Sequence, residues 1–109
     1  MGKIDHIVES KIHEYLDVLK KDITINYAIL FGSHAHGKPG KESDIDIAIV
    51  SENFGKNHIK EMRFLSVKRL LSDSSIEPYA IGLDEFNNRS EGDFISEIFQ
   101  KGIVIEEFK

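Results

Sequence analysis

Ile4, Val8, Ile12, Tyr15, Leu16 and Leu19 recur at intervals of three and four, which predicts an amphipathic helix over residues 3–21. Lys20 and Lys21 suit its C-terminal end, and His6 and His13 read as part of its solvated surface. The pattern then tightens. Residues 25–31 are dense in β-branched and aromatic side chains and read as a strand. After a glycine-rich break, residues 44–50 read as a second strand, an apolar run carrying Asp44 and Asp46 in alternation. Helical spacing returns in Ile59, Met62, Val67, Leu70 and Leu71. These give a helix over residues 57–72 a broad apolar face, with Lys60, Arg63, Lys68 and Arg69 as ordinary surface charge. Residues 76–83 read as a third strand. Pro78 has no N–H to donate, so that strand is interrupted, bulged or open on one side.

Residues 84–89 read as a short turn of helix or a loop. Ser90 followed by Asp93 resembles a capping box for a last helix over residues 91–101, with Phe94, Ile95, Ile98 and Phe99 facing the core and Gly102 as its stop. Residues 103–105 form a short closing strand. The order α-β-β-α-β-α-β describes an α/β (α+β) fold: a mixed sheet of about four strands backed by helices on one face. The other face is left open. No repeat, low-complexity tract or linker divides the sequence, so residues 1–109 are read as one domain.

Composition narrows the function. A chain of 109 residues buries roughly two thirds of its unfolded surface, enough for one modest core. A formal charge of −5 argues against a broad nucleic-acid-binding surface, which is normally basic. There are no cysteines, so disulfides and thiolate zinc sites are excluded. The longest apolar run is too short to span a membrane. The first residues lack a signal-peptide core, and a cytoplasmic protein is expected.

The candidate chemistry lies between the first two strands. Gly32-Ser33 ends the first strand and leads into a short helical segment, where Gly32 permits close backbone approach and free N–H groups favour an anion. Ser33 offers either a hydroxyl to a phosphate or a simple N-cap. Residues 37–43 form a flexible polar connector, with Lys38 and Lys41 in it. Ten residues after Ser33, Asp44 and Asp46 share one face of the second strand by alternation. Two carboxylates on one face of an otherwise buried strand call for a counter-charge. Mg²⁺ suits them, since it takes one or two carboxylates and completes its shell with water and phosphate oxygens.

Gly32-Ser33, ten residues, then Asp44-Ile45-Asp46 resembles the signature of the DNA polymerase β-like nucleotidyltransferase superfamily. The wording around it is similar to the minimal nucleotidyltransferase (MNT) domains that pair with HEPN-domain toxins. The resemblance implies a nucleotidyltransferase fold and transfer of a nucleoside monophosphate from a triphosphate with two Mg²⁺ ions. It also implies metal-holding catalytic roles for Asp44, Asp46 and a third carboxylate, for which Glu77 is the candidate. Gly32 and Ser33 are implied to bind the nucleotide phosphates. The sequence departs from the pattern in two ways. His34 and His36 stand where arginine is common, and Glu77 stands where aspartate is usual.

Larger members of the superfamily use a further domain to hold base or acceptor, and this chain has almost no room for one. The implied activity is therefore transfer of AMP from ATP to a tyrosine hydroxyl of a separate HEPN-domain toxin, acting as its antitoxin. The alternative from another class is a binding module that neutralises a partner by contact alone. Transfer to a small molecule is a third reading.

Overall fold

The computed structural model describes residues 5–35 and 44–107, apart from the side chains of Ser33 and Glu107. Asp5 caps the first helix, its Oδ1 accepting from the Ile7 amide at 2.8 Å, and α1 runs His6–Leu19. Strand β1 (Tyr27–Phe31) follows, then a 3-10 turn at Gly32–His34 and β2 (Ile45–Ser51). Asn57 caps α2 (His58–Lys68), which ends in a second 3-10 turn at Arg69–Leu71. The chain closes with β3 (Ile76–Gly82), the short α3 (Leu83–Asn87), α4 (Phe94–Lys101) and β4 (Ile103–Glu107). The sheet is mixed, in the order β3-β2-β1-β4, with β2 parallel to β3 and β1 antiparallel to both β2 and β4. The expected four-stranded mixed sheet is present. Pro78 sits on β3, an edge strand, where its missing N–H disturbs no second ladder.

Helices cover both faces of this sheet, not one. On the first face Ile12, Tyr15, Leu16 and Leu19 of α1 and Leu65 of α2 pack on Ala28, Leu30, Ile45, Ile47, Ile49, Ile76 and Ala80. The Tyr15 hydroxyl donates to the Leu65 carbonyl at 2.7 Å and ties the two helices together. On the second face Phe86 of α3 and Ile98 of α4 pack on Ile29, Ala48, Val50 and Ile81. The physical reason lies in β1 and β2. Both are apolar at odd and even positions alike, and a strand of that kind must be covered on both sides. The open part of the second face shrinks to the end of the sheet where Asp46 and Glu77 begin their strands.

Two local differences follow from packing and capping. The apolar face expected of the second helix is mostly solvent-exposed: Ile59, Val67, Leu70 and Leu71 lie outside, while Leu65, Met62 and Phe64 turn inward. The last helix starts at Phe94 and not at residue 91. Asp93 is itself the cap, accepting from the Ser96 and Ser90 amides at 2.7 Å each, and Gly92 with φ +87° breaks the chain before it. Gly102 then brings the chain hard against β1: a Cβ there would lie 2.7 Å from the Leu30 carbonyl oxygen. Among the described residues no helix is long and apolar enough to cross a membrane.

Candidate active site

The site grows from one row of the sheet. Asp46 is paired across the antiparallel ladder with Phe31 and across the parallel ladder with Glu77. Its neighbours Ile45 and Ile47 point into the core under α1 and α2, so alternation turns Asp46 to the opposite face, together with Glu77 and Tyr79. Gly32 follows Phe31 directly and adopts φ +75°, a conformation that side chains with a Cβ rarely take. The turn closes with the Ala35 amide donating to the Gly32 carbonyl at 3.1 Å. It lays Gly32 against Asp46: a Cβ on Gly32 would meet the carboxylate, 3.2 Å from its Cγ. Asp44 stands just outside β2 and is exposed.

The carboxylates share a field. Burial first, then the charges of Asp44 and Glu77, push the Asp46 carboxyl above its ordinary value, and His34 pulls it partly back. Uncompensated like charge of this kind is the electrostatic setting that a divalent cation relieves. The donor set fits one. Asp44 and Asp46 would hold it, leaving the rest of its shell to water and phosphate oxygens. Glu77 is held differently. Its Oε1 lies 3.1 Å from Arg69 Nη1, which also donates to the Ile76 carbonyl at 2.9 Å. Among the described residues no three His, Asp or Glu side chains gather closely enough to hold a metal ion.

Phe31, Asp46 and Glu77 thus form one line across three strands, with Gly32 against Asp46 at its end and Asp44 and His34 close by. The backbone of Ser33 lies in the 3-10 turn. His36, Lys38 and Lys41 lie outside the described residues. Arg69, read in the sequence as ordinary surface charge, is the direct partner of Glu77. No local signal marks it, because the pair joins a helix end to a strand. Sequence reasoning also missed a cleft of about 180 Å³ beside Gly32, lined by Phe31, Phe94, Glu97, Ile98 and Lys101.

A mixed four-stranded sheet bearing carboxylates at the start of a central strand, opposed by a glycine turn, defines a nucleotidyltransferase domain. The chain belongs to the family described as "Polymerase beta, Nucleotidyltransferase", whose profile matches residues 11–108. No curated protein matches the chain significantly.

Proposed function

We propose that this nucleotidyltransferase domain transfers AMP from ATP to a hydroxyl, that of a tyrosine on a partner HEPN-domain toxin, and so acts as an antitoxin. The observation that supports it is the closeness of Gly32 to the Asp46 carboxylate. A phosphate tail over the turn would lie directly beside the acidic pair. In this reading the backbone of Gly32 and Ser33 binds the β- and γ-phosphates, and Asp44 and Asp46 hold Mg²⁺. The bound ions would neutralise charge on the attacking and leaving oxygens. Glu77 takes the proton from the acceptor hydroxyl, whose oxygen bonds to the α-phosphorus as pyrophosphate departs. Family membership supports nucleotidyl transfer in general. The tyrosine acceptor and the antitoxin role rest on resemblance to minimal domains.

A mixture of the protein, ATP, Mg²⁺ and a HEPN-domain partner should add the mass of one AMP to the partner. Asp44→Asn combined with Asp46→Asn should abolish the adduct and leave the fold intact. Labelling that survives the double substitution rules out this assignment. The second reading, neutralisation by contact alone, draws its support from the Arg69–Glu77 pair, which occupies the third carboxylate. It expects silencing of the partner to persist in the double variant without any mass change.

A further inference from the structure

The cleft beside Gly32 has no role in the transfer step, and an exposed aromatic ring lines it. Phe94 opens α4 and is 53% exposed, although it is a large apolar ring. It is not loosely placed. Its ring stands nearly perpendicular to Phe31 at 6.4 Å between centroids, and nearly perpendicular to Tyr79 at 5.5 Å. These two contacts set the plane of the ring and leave much of its surface in water. Phe31 is the register partner of Asp46, and Tyr79 lies two residues beyond Glu77 on the same strand. Phe94 therefore packs from α4 against strand residues next to the carboxylates. Ile98 forms an apolar wall, and among the described residues the charged groups lining the cleft are Glu97 and Lys101, paired with each other at 2.9 Å.

Gly32 belongs to this cleft and also touches Asp46. A ligand whose phosphates lie over the Gly32 turn has its remaining part within reach of Phe94. A flat heteroaromatic group suits an aromatic ring held in a fixed plane, since stacking tolerates any base and needs no built pattern of hydrogen bonds. Glu97 and Lys101 offer one acceptor and one donor to the polar edge of such a ring. We infer that the cleft between Gly32 and Phe94 is the subsite for the nucleobase of the triphosphate, with the base stacked on Phe94. The inference rests on the nucleotide reading given above and extends it: this domain holds its base with its own last helix.

The test compares two ligands, Mg·ATP and Mg·tripolyphosphate, which share a phosphate tail and differ in the nucleoside. Titration calorimetry should show Phe94→Ala weakening ATP about tenfold or more while leaving tripolyphosphate unchanged. Phe94→Leu, which keeps apolar bulk, should behave in the same way. The chain contains no tryptophan, so Phe94→Trp places a single tryptophan in the cleft that can be excited apart from the tyrosines, and ATP but not tripolyphosphate should quench it. Asp44→Asn with Asp46→Asn should remove the Mg²⁺-dependent binding of both ligands.

If the double variant loses that binding but the Phe94 variants lose none, the base lies elsewhere and the nucleotide site stands. Equal losses of both ligands on changing Phe94 also overturn the subsite, since they mark a structural role. Quenching by N-acetyltyrosinamide and not by ATP assigns the cleft to the acceptor and overturns the inference. If the double variant changes nothing, or neither ligand binds the unaltered chain, the nucleotide reading itself falls.

Discussion

Gly32 lies against Asp46 with no room between them for a methyl group. The φ of +75° at Gly32 adds a second demand for glycine, independent of the first. Gly32→Ala should therefore destabilise the fold by about 1–2 kcal/mol from backbone conformation alone, and displace the Asp46 carboxylate as well. Thermal melting should fall by about 4–8 °C per kcal/mol, and nucleotidyl transfer should fall below detection. An alanine variant with unchanged melting and activity would mean that the turn is free to move away from β2.

Stability should carry two opposing pH dependences. The raised Asp46 carboxyl binds its proton more tightly in the folded chain than in the unfolded one. Its contribution is full below the ordinary carboxylate value, about 4, and is lost as pH rises through the raised value. Asp73 and Asp93 act the other way. Hydrogen bonds from Ser75 hold the first below the usual range, and amides of Ser96 and Ser90 hold the second. Their contributions are present above the ordinary value and are lost as pH falls through the lowered ones. Asp46→Asn should raise the melting temperature at neutral pH and leave the acid limb intact, whereas Asp93→Ala should flatten the acid limb. Melts recorded from roughly pH 3 to pH 8 check both, and a lower neutral melting temperature for Asp46→Asn contradicts the first.

Glu77 and Arg69 form a half-exposed pair, and such pairs contribute only about 0.2–1 kcal/mol. Glu77→Gln should accordingly alter melting little while lowering transfer at least tenfold, roughly 1.4 kcal/mol of barrier. Arg69→Gln removes the positive charge paired with Glu77 and releases that carboxylate. Mn²⁺ titration should then show tighter metal binding, alongside a loss of about 1 kcal/mol for the Ile76 carbonyl left without its donor. Unaltered transfer in Glu77→Gln would reduce Glu77 to a surface partner of Arg69.

The Tyr15 hydroxyl is buried and donates to the Leu65 carbonyl across α1 and α2. Burial pushes this phenol well above its usual range, with Arg69 opposing the shift. Tyr15→Phe keeps the packing and deletes one bond, so chemical denaturation should show a loss of about 0.5–1.5 kcal/mol. Nucleotide binding should be untouched, because the bond lies on the face opposite Asp46.

The elements were legible wherever a period was strong and a boundary chemical. α1, β1, β2 and β3 appear close to their expected places, because Ile12, Leu16 and Leu19 or Ile45, Ile47 and Ile49 can satisfy only one local geometry. α2 was found but its faces were misread. Val67, Leu70 and Leu71 have the right spacing for a core stripe, but α2 ends at Lys68, Leu70 and Leu71 fall in the 3-10 turn that follows, and all three stay in solvent. The start of α4 was misplaced because Ser90 and Asp93 both suit a cap, and Gly92 favours the later one. In the site, alternation predicts the face on which Asp46 projects, but Glu77 comes beside it only through the parallel register of β2 and β3.

What the sequence determined by itself was local: the period of each element, the glycine turn, and the alternation that sends Asp46 away from the core. Tertiary structure alone decided which helices cover each face, that Arg69 reaches Glu77, and that Phe94 stands beside Gly32. Each of these joins residues on different elements. Backbone geometry fixes how neighbours point, but distant side chains meet only through the order of the strands and the packing of helices upon them.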